Sequence, residues 1–170
     1  MPPSPFVIQW AALAGRTARP AARALDLAIG GGRHVDALTR AGFKVFGVDR
    51  SLTALLEARR AAPPARLALW CADLTRAALP PRWFDLVLVT RYLDRRRFDA
   101  LRETVVPGGI VIYETFTIHQ RELGWGPTSP EHLLEPGELR AAFEGFEVLH
   151  DEESRDPEAV ARLVARRPGA

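Results

Sequence analysis

Short apolar runs alternate with amphipathic stretches along most of the chain. Leu86–Val89 is the plainest of these runs, since it is uninterrupted and rich in Val, which is typical of a strand buried on both faces. Val45–Val48 and Ile110–Tyr113 have the same character. The pattern predicts strands over residues 24–29, 44–48, 66–71, 86–89, 110–113, 146–151 and 158–166, and helices over residues 6–13, 33–41, 51–60, 95–104 and 136–144.

This order of elements predicts an α/β fold. Strands that alternate with helices form a mostly parallel sheet with helices on both faces. The last two strands are joined by a short turn at Asp156–Pro157, so we expect them to pair antiparallel. Residues 117–135 hold several Gly and Pro and show no periodicity, which is typical of a functional loop or lid.

Composition narrows the class of protein. The chain has 170 residues and a formal net charge of +2, so we expect one domain over residues 1–170 and no nucleic-acid partner. No apolar run reaches the roughly 20 residues of a membrane span, and the first residues lack the order of a signal peptide. We therefore expect a cytoplasmic protein of a bacterial-type cell, without a membrane partner, as a monomer or homodimer.

The single cysteine limits the chemistry further. With Cys71 alone, an internal disulfide and a cysteine zinc cluster are excluded, and no other cluster suggests a metal site. Cys71 ends a predicted strand, where we expect a buried and inert thiol. The run Arg95–Arg97 is interpreted as a solvated helix face.

The most informative segment is the glycine-rich stretch Gly30–Gly32 after the first predicted strand. Glycine lets the backbone turn tightly and approach a ligand closely, because it has no Cβ. Asp49 ends the next apolar strand, where its carboxylate can accept hydrogen bonds from both hydroxyls of a ribose. Together they predict a nucleoside-cofactor site at the edge of the sheet.

The spacing within this segment bears on which nucleoside is bound. The dinucleotide fingerprint takes a small residue where this chain has Val35, and that residue allows close packing beside a pyrophosphate. A nicotinamide cofactor is therefore disfavoured. S-adenosylmethionine needs the close backbone approach but carries no phosphate, so it fits the segment better. A glycine-rich turn without a ligand is the plainer alternative.

Residues 24–51 resemble motifs I and II of the class I S-adenosylmethionine-dependent methyltransferases. The likeness continues through residues 71–74, similar to the adenine-contacting turn of this family, and residues 84–89, similar to its motif IV. Residues 107–109 resemble the turn before its fifth strand. The resemblance implies a Rossmann-like seven-stranded sheet, mostly parallel with an antiparallel last strand.

Other stretches resemble a narrower bacterial group, the tellurite-resistance-type small methyltransferases. These are Arg91–Leu93, Tyr113–Phe116 and residues 134–139 after the Gly/Pro-rich loop. One departure is Ile29, which stands where these enzymes carry a small residue or cysteine. We expect its bulk to lie beside the cofactor. Residues 1–23 are expected to form a helix and loop over the site, and residues 117–135 a lid or acceptor loop.

The resemblance implies roles for individual residues. Gly30 and Gly32 would face the methionine part of S-adenosylmethionine, Asp49 would hold its ribose, and Asp73 would accept from the adenine amino group unless it caps the turn that follows. Leu74 would pack on the adenine ring, and Thr90 would lie near the transferred methyl. The full set of expected cofactor-binding residues is Asp26, Ala28, Gly30, Gly32, Arg33, Asp49, Arg50, Ser51, Asp73, Leu74 and Thr90.

Candidates for the acceptor side lie after later strand ends or in the irregular loop. Arg91 suits an anionic acceptor or a structural ion pair, and Glu114 suits an amine, a proton-accepting role or a pair with Arg91 or Arg95–Arg97. His119 titrates near neutral pH, although a lone loop histidine is more often a bystander. These three are the candidate catalytic residues, with Tyr92, Trp125 and His132 as further acceptor-side candidates.

The expected function is transfer of a methyl group from S-adenosylmethionine to a small molecule, with S-adenosylhomocysteine as product. Positioning supplies much of the acceleration in such a reaction, because the methyl is already activated. Two alternatives stay open from the residues. One is a non-catalytic module that binds S-adenosylmethionine or S-adenosylhomocysteine, and the other is an NAD-dependent oxidoreductase, against which Val35 argues.

Overall fold

Residues 1–169 are described by a computed structural model in which one seven-stranded sheet carries helices on both faces. The helices are α1 (Pro5–Gly15), α2 (Val35–Arg40), α3 (Leu52–Ala58), α4 (Phe98–Thr104) and α5 (Glu138–Ala142). The strands are β1 (Arg23–Leu27), β2 (Lys44–Asp49), β3 (Leu67–Cys71), β4 (Phe84–Thr90), β5 (Val105–Phe116), β6 (Glu147–Ser154) and β7 (Val160–Arg166). None of the helices in this described part is long and apolar enough to cross a membrane.

The strand order is β3-β2-β1-β4-β5-β7-β6. The first five strands pair in parallel, and β7 pairs antiparallel with both β5 and β6. The predicted α/β class, the seven strands and the antiparallel last strand are therefore confirmed. Because the order reverses between β1 and β4, their carboxyl ends flank the crevice where ligands bind in such sheets.

Two cores cover the two faces of the sheet. One contains α1, α2 and α3 and includes Val7, Leu38 and Leu55, all buried. The other contains α4 and α5 and includes Leu101 and Phe143. Alternate residues of the central strands point into the two cores, as the period of two in a strand requires. The strands that border the crevice are therefore fixed by a packed core on each face of the sheet.

Several element boundaries differ from the prediction. β5 runs from Val105 instead of residue 110, because the chain pairs with β4 on both sides of an irregularity around Pro107–Gly109. The helix predicted over residues 136–144 is shorter, at Glu138–Ala142. Gly137, in a left-handed conformation, directly precedes it. Pro and Gly residues at these two places interrupt the periodic patterns from which the bounds of the strand and the helix were predicted.

The arginine run is only partly the solvated helix face that the sequence predicted, since Arg95 and Arg96 are exposed and Arg97 is not. Arg95–Arg97 is a 3₁₀ turn that leads into α4. Arg97 is buried and donates to the carbonyl of Ala77, while Arg95 and Arg96 pair with Glu138 and Asp94. The expectation failed for Arg97 because its acceptor, the carbonyl of Ala77, lies in another segment that the sequence pattern does not connect to this turn.

The expected burial of Cys71 is also wrong. Cys71 ends β3 and is exposed, with its thiol near the carbonyl of Arg50. β3 is an edge strand, so that only part of it is covered by neighbours. A single sequence does not tell which apolar strand lies at the edge of a sheet.

Candidate functional site

A cavity of about 510 Å³ opens at the carboxyl ends of the parallel strands. The residues that follow β1, β2, β3 and β4 supply most of its wall, together with the end of β5 and the irregular loop. It is lined by Ala28, Asp49, Arg50, Asp73, Leu74, Thr75, Arg91, Tyr92, Leu93, Phe116, Pro127 and His132. The position is the one that the sheet topology favours for a ligand.

The glycine-rich turn between β1 and α2 lies next to this cavity, since Ala28 before it and Asp49, which is bonded to it, both line the cavity. Gly30 and Gly32 both adopt left-handed backbone conformations, with φ of 54° and 78°. A Cβ on Gly30 would have no atom within 4 Å, so the space beside this backbone is open to a ligand. A Cβ on Gly32 would instead lie 2.9 Å from the Cβ of Ala58, so Gly32 is required by the packing of α3.

Asp49 connects the end of β2 to the glycine turn. Its Oδ2 accepts a hydrogen bond of 2.9 Å from the backbone N–H of Gly30, and its Oδ1 accepts one of 2.9 Å from the N–H of Ser51. These bonds fix the carboxylate against the cavity wall. Each oxygen keeps a lone pair, which suits the paired hydroxyls of a ribose.

Asp26 lies beneath the same turn and has no partner. It is buried in β1, and neither carboxylate oxygen has a hydrogen-bond partner among the described residues. Burial raises the pKa of Asp26 to about 7, against the lowering effect of Arg33 and with a smaller raising effect of Asp49. An unpaired buried carboxylate beside an open backbone cradle is the kind of group that a ligand ammonium satisfies.

Asp73 and Leu74 form the opposite wall, after β3. The Oδ1 of Asp73 accepts from the N–H and the hydroxyl of Thr75, at 2.9 and 2.7 Å, and these bonds lower the pKa of the Asp73 carboxyl. Asp73 therefore stabilises its own turn, as the plainer alternative predicted, and still lines the cavity with its second oxygen free of described partners. Leu74 is buried and gives this wall an apolar surface.

The acceptor-side wall begins at Arg91, directly after β4. Arg91 has a left-handed backbone (φ 56°), and its N–H donates to the carbonyl of Glu114 at 2.9 Å. Its guanidinium lies over the Phe116 ring, 4.3 Å from the ring centroid, and pairs with Glu158. The ion pair expected with Glu114 is thus not formed, since Glu158 takes that place.

Glu114 and His119 do not line the cavity. The Glu114 carboxylate is buried and accepts from the Arg162 guanidinium at 2.8 Å and from the Ser4 hydroxyl at 3.1 Å. His119 pairs with Glu122 and contacts Arg155. The structure does not bring either residue to the wall that carries Arg91.

The predicted residues thus fall into two groups. Eight of them line the cavity itself, namely Ala28, Asp49, Arg50, Asp73, Leu74, Arg91, Tyr92 and His132, whereas the predicted Trp125 does not. Asp26, Gly30, Gly32, Arg33, Ser51 and Thr90 lie in the turns and strand ends around it without lining it. Arg33 is half-buried, and burial together with nearby Arg91 lowers its pKa.

Thr75, Leu93 and Glu158 belong to the site but were not predicted from the sequence as site residues. Thr75 directly follows Leu74, and Leu93 belongs to the stretch Arg91–Leu93, but the sequence assigned no role to either. Glu158 precedes the antiparallel strand β7, and no local motif marks it. Only the pairing of β5 with β7 brings it close to the end of β4.

Ile29 is a correction to the expected cofactor wall. Its side chain is buried in the core with α1 and α2 and packs where a Cβ on Gly47 would stand. It does not line the cavity, and Ala28 does so in its place. Ala28 has a left-handed backbone (φ 59°) in the turn after β1, and the bulk of Ile29 packs into the core, away from the cavity.

Comparisons with known proteins agree with this architecture. A family described as a methyltransferase domain matches residues 24–109, just over half of the chain. An S-adenosylmethionine-dependent methyltransferase from Mesorhizobium loti superposes with a TM-score of 0.73 at 23% identity, covering 94% of this chain and 98% of that one. No curated protein matches the sequence significantly.

Two further solved structures share the fold at lower identity. TehB from Haemophilus influenzae superposes with a TM-score of 0.78 at 16% identity, over 97% of this chain and 62% of that chain. The [4+2]-cyclase SpnF superposes with a TM-score of 0.75 at 17% identity, over 96% and 81%. Likeness at these identities shows the fold alone.

Proposed function

Since the chain belongs to the family of methyltransferase domains, we propose that it transfers a methyl group from S-adenosylmethionine to a small-molecule acceptor. Its sheet is that of the class I methyltransferases. The observation that carries the proposal is the bond from the Gly30 N–H to the Asp49 carboxylate, because it joins the two parts of a nucleoside site at one cavity wall.

The residues present fit S-adenosylmethionine. The open backbone at Gly30 and the unpaired Asp26 carboxylate suit the methionine part with its ammonium group. Asp49 suits the ribose, and Asp73 with Leu74 suits the adenine. Arg33, Arg50, Ser51 and Thr90 are proposed to flank these contacts, Thr90 near the methyl group.

The proposed chemistry places few demands on the protein. S-adenosylmethionine would supply an activated methyl group on a positively charged sulfur. The acceptor's lone pair would form the new bond to this methyl carbon as the C–S bond breaks in line, and S-adenosylhomocysteine, with its neutral sulfur, would be the leaving group. The chain's own residues bind and orient the two partners in a partly enclosed cavity. We propose that Arg91 and residues 117–135 hold the acceptor, with the loop as lid and residues 1–23 over the other side.

A second candidate is a module that binds the cofactor without transferring its methyl. It is favoured by the positions of Glu114 and His119, because neither of these possible bases lines the cavity. Methyl transfer remains the better-supported function, since many acceptors need no base on the enzyme. An NAD-dependent reaction is less supported, because Val35 is buried in the core where the dinucleotide fingerprint takes a small residue.

Calorimetry with S-adenosylmethionine, S-adenosylhomocysteine and NAD tests the proposal. We expect binding of the first two and none of NAD, and stabilisation by NAD alone would refute it. Transfer of a labelled methyl group in a screen of small acceptors then separates the enzyme from the binding module.

A further inference from the structure

The acceptor side of the cavity is cationic and apolar. Its lining residues after β4, at the end of β5 and in the irregular loop are Arg91, Tyr92, Leu93, Phe116, Pro127 and His132, and none of them is an acid. The two carboxylates of the described lining, Asp49 and Asp73, lie on the side of β2 and β3. Both acids thus lie on one side of the cavity, where Arg50 also lies, and the acceptor side holds none.

The backbone conformation of Arg91 is strained. Left-handed backbone is strained for a residue with a side chain, and such strain concentrates at ligand sites. Its guanidinium carbon lies over the Phe116 ring, 4.3 Å from the centroid, and its Nε is buried with no hydrogen-bond partner among the described residues. The side chain therefore holds a planar guanidinium in a fixed position at the cavity wall.

We propose that the methyl acceptor is a small organic anion, an oxyanion on a flat apolar body, and that Arg91 binds its charge. The inference rests on the proposed function, since it assigns the acceptor for that site. A planar guanidinium matches the geometry of a carboxylate or a similar oxyanion. Tyr92, Phe116 and Pro127 supply apolar surface for the body of the molecule.

Glu158 provides a second, independent test of this proposal. It pairs with Arg91 and is itself only 25% exposed, so its carboxylate occupies the guanidinium that an acceptor anion would use. An incoming anion has to share or displace this partner. Removing the charge of Glu158 therefore strengthens anion binding, whereas removing the charge of Arg91 weakens it.

The test uses the full chain loaded with S-adenosylhomocysteine. Benzoate, salicylate and 1-naphthoate are titrated by calorimetry, each beside its uncharged amide. We expect at least one carboxylate to bind about tenfold or more tightly than its amide. Arg91→Gln abolishes this preference, Arg91→Lys keeps part of it, and Glu158→Gln raises carboxylate affinity severalfold. Arg40→Gln, an exposed surface pair on α2, controls for net charge and changes nothing.

The possible failures are distinguishable. If S-adenosylhomocysteine itself does not bind, the proposed function is wrong. If it binds but no carboxylate is preferred over its amide, or Arg91→Gln keeps the preference, the anionic acceptor is wrong and the proposed function stands. Should Arg91→Gln fail to fold, Glu158→Gln decides, because a gain in carboxylate affinity does not follow from lost stability.

Discussion

The hydroxyl of Ser4 donates a hydrogen bond of 3.1 Å to the buried carboxylate of Glu114, which joins the first residues of the chain to the end of β5. Ser4 lies at the N-cap of α1 but makes no side-chain capping bond there. Its N–H instead donates to the Nε2 of buried His34. The segment before α1 is thus fastened to the end of β5 and to the N-cap of α2, and with Arg162 it saturates one oxygen of Glu114.

We therefore expect Glu114 to be important for stability. Glu114→Gln leaves the guanidinium of Arg162 without its close partner and should lower the free energy of unfolding by about 2 kcal/mol, measured with urea. Glu147→Gln removes an exposed ion pair of the neighbouring strands and should cost less than about 0.5 kcal/mol. A Glu114 variant of unchanged stability that lost methyl transfer would point to a base instead.

Asp49 should determine the affinity for the cofactor. Asp49→Ala removes charge-assisted acceptors from the proposed ribose site and should weaken S-adenosylhomocysteine binding by at least about 1.5 kcal/mol, or roughly tenfold. Asp49→Asn keeps one acceptor and should lose less. Asp36→Ala, on the exposed face of α2, is the control. Unchanged affinity in Asp49→Ala would remove the ribose assignment.

The parts of the site that the sequence predicted are those built from local backbone. A buried parallel strand is a continuous apolar run, so β4 and the strand ends before Gly30 and Asp49 could be located from the sequence. The glycines and the acid then follow at fixed distances. The roles of these residues toward a cofactor stay predictions until a ligand is measured.

The rest depended on contacts between distant segments. Glu114 pairs with Arg162 and Arg91 with Glu158, across 48 and 67 residues, and both pairs exist because β7 inserts between β5 and β6. No local spacing encodes such an insertion. For the same reason Cys71 was expected to be buried, since only the strand order shows that β3 lies at an edge.

Alanine variants of Gly30 and Gly32 should distinguish a role in the packing of α3 from a role in cofactor binding. Gly32→Ala introduces a Cβ against Ala58 in a left-handed backbone and should cost about 2–3 kcal/mol of stability. Gly30→Ala meets open space and should cost about 1 kcal/mol while weakening S-adenosylhomocysteine binding, because the Cβ enters the ligand's space. Gly42→Ala, equally open but beyond α2, should reproduce the stability loss alone. Equal losses of affinity in Gly30→Ala and Gly42→Ala would contradict the proposal that the backbone of Gly30 contacts the cofactor.

The buried Asp26 should make stability depend on pH. Its pKa rises from 3.8 to about 7 on folding, so the folded protein holds a proton that the unfolded chain has released. Its favourable contribution is complete below about pH 4 and is lost as pH rises towards 7. From about pH 4 to pH 7, the free energy of unfolding of Asp26→Asn relative to the wild type should therefore increase by about 4 kcal/mol.

His34 has the opposite effect on the free energy of unfolding as pH changes, and it masks the effect of Asp26 in the wild type. Burial lowers the pKa of His34 to about 3, with a smaller contribution from Arg33. Its contribution is present above its ordinary value of 6.5 and is lost as pH falls, because the unfolded chain takes up the proton first. Urea unfolding of both proteins at several pH values isolates the Asp26 effect as a difference. A difference that stays constant with pH would show that Asp26 ionises normally.

Gln120 should control the order of the irregular loop. It is fully buried, accepts from the N–H of Ala159 at 2.9 Å and donates to the carbonyl of Trp125 at 3.0 Å. Gln120→Ala leaves both backbone groups unpaired, which costs about 1–3 kcal/mol, and this cost falls on the loop that carries Pro127 and His132 into the cavity.

We expect trypsin to cleave Gln120→Ala after Arg121 faster than the wild type, because local opening exposes that bond without global unfolding. Gln9→Ala, on the exposed side of α1, should cleave at the wild-type rate. Mass spectrometry of the first products identifies the bond. Since the loop supplies part of the acceptor wall, the same variant should bind S-adenosylhomocysteine normally and lose affinity for the carboxylate probes. Equal cleavage of both variants would mean that the loop is held by contacts other than Gln120.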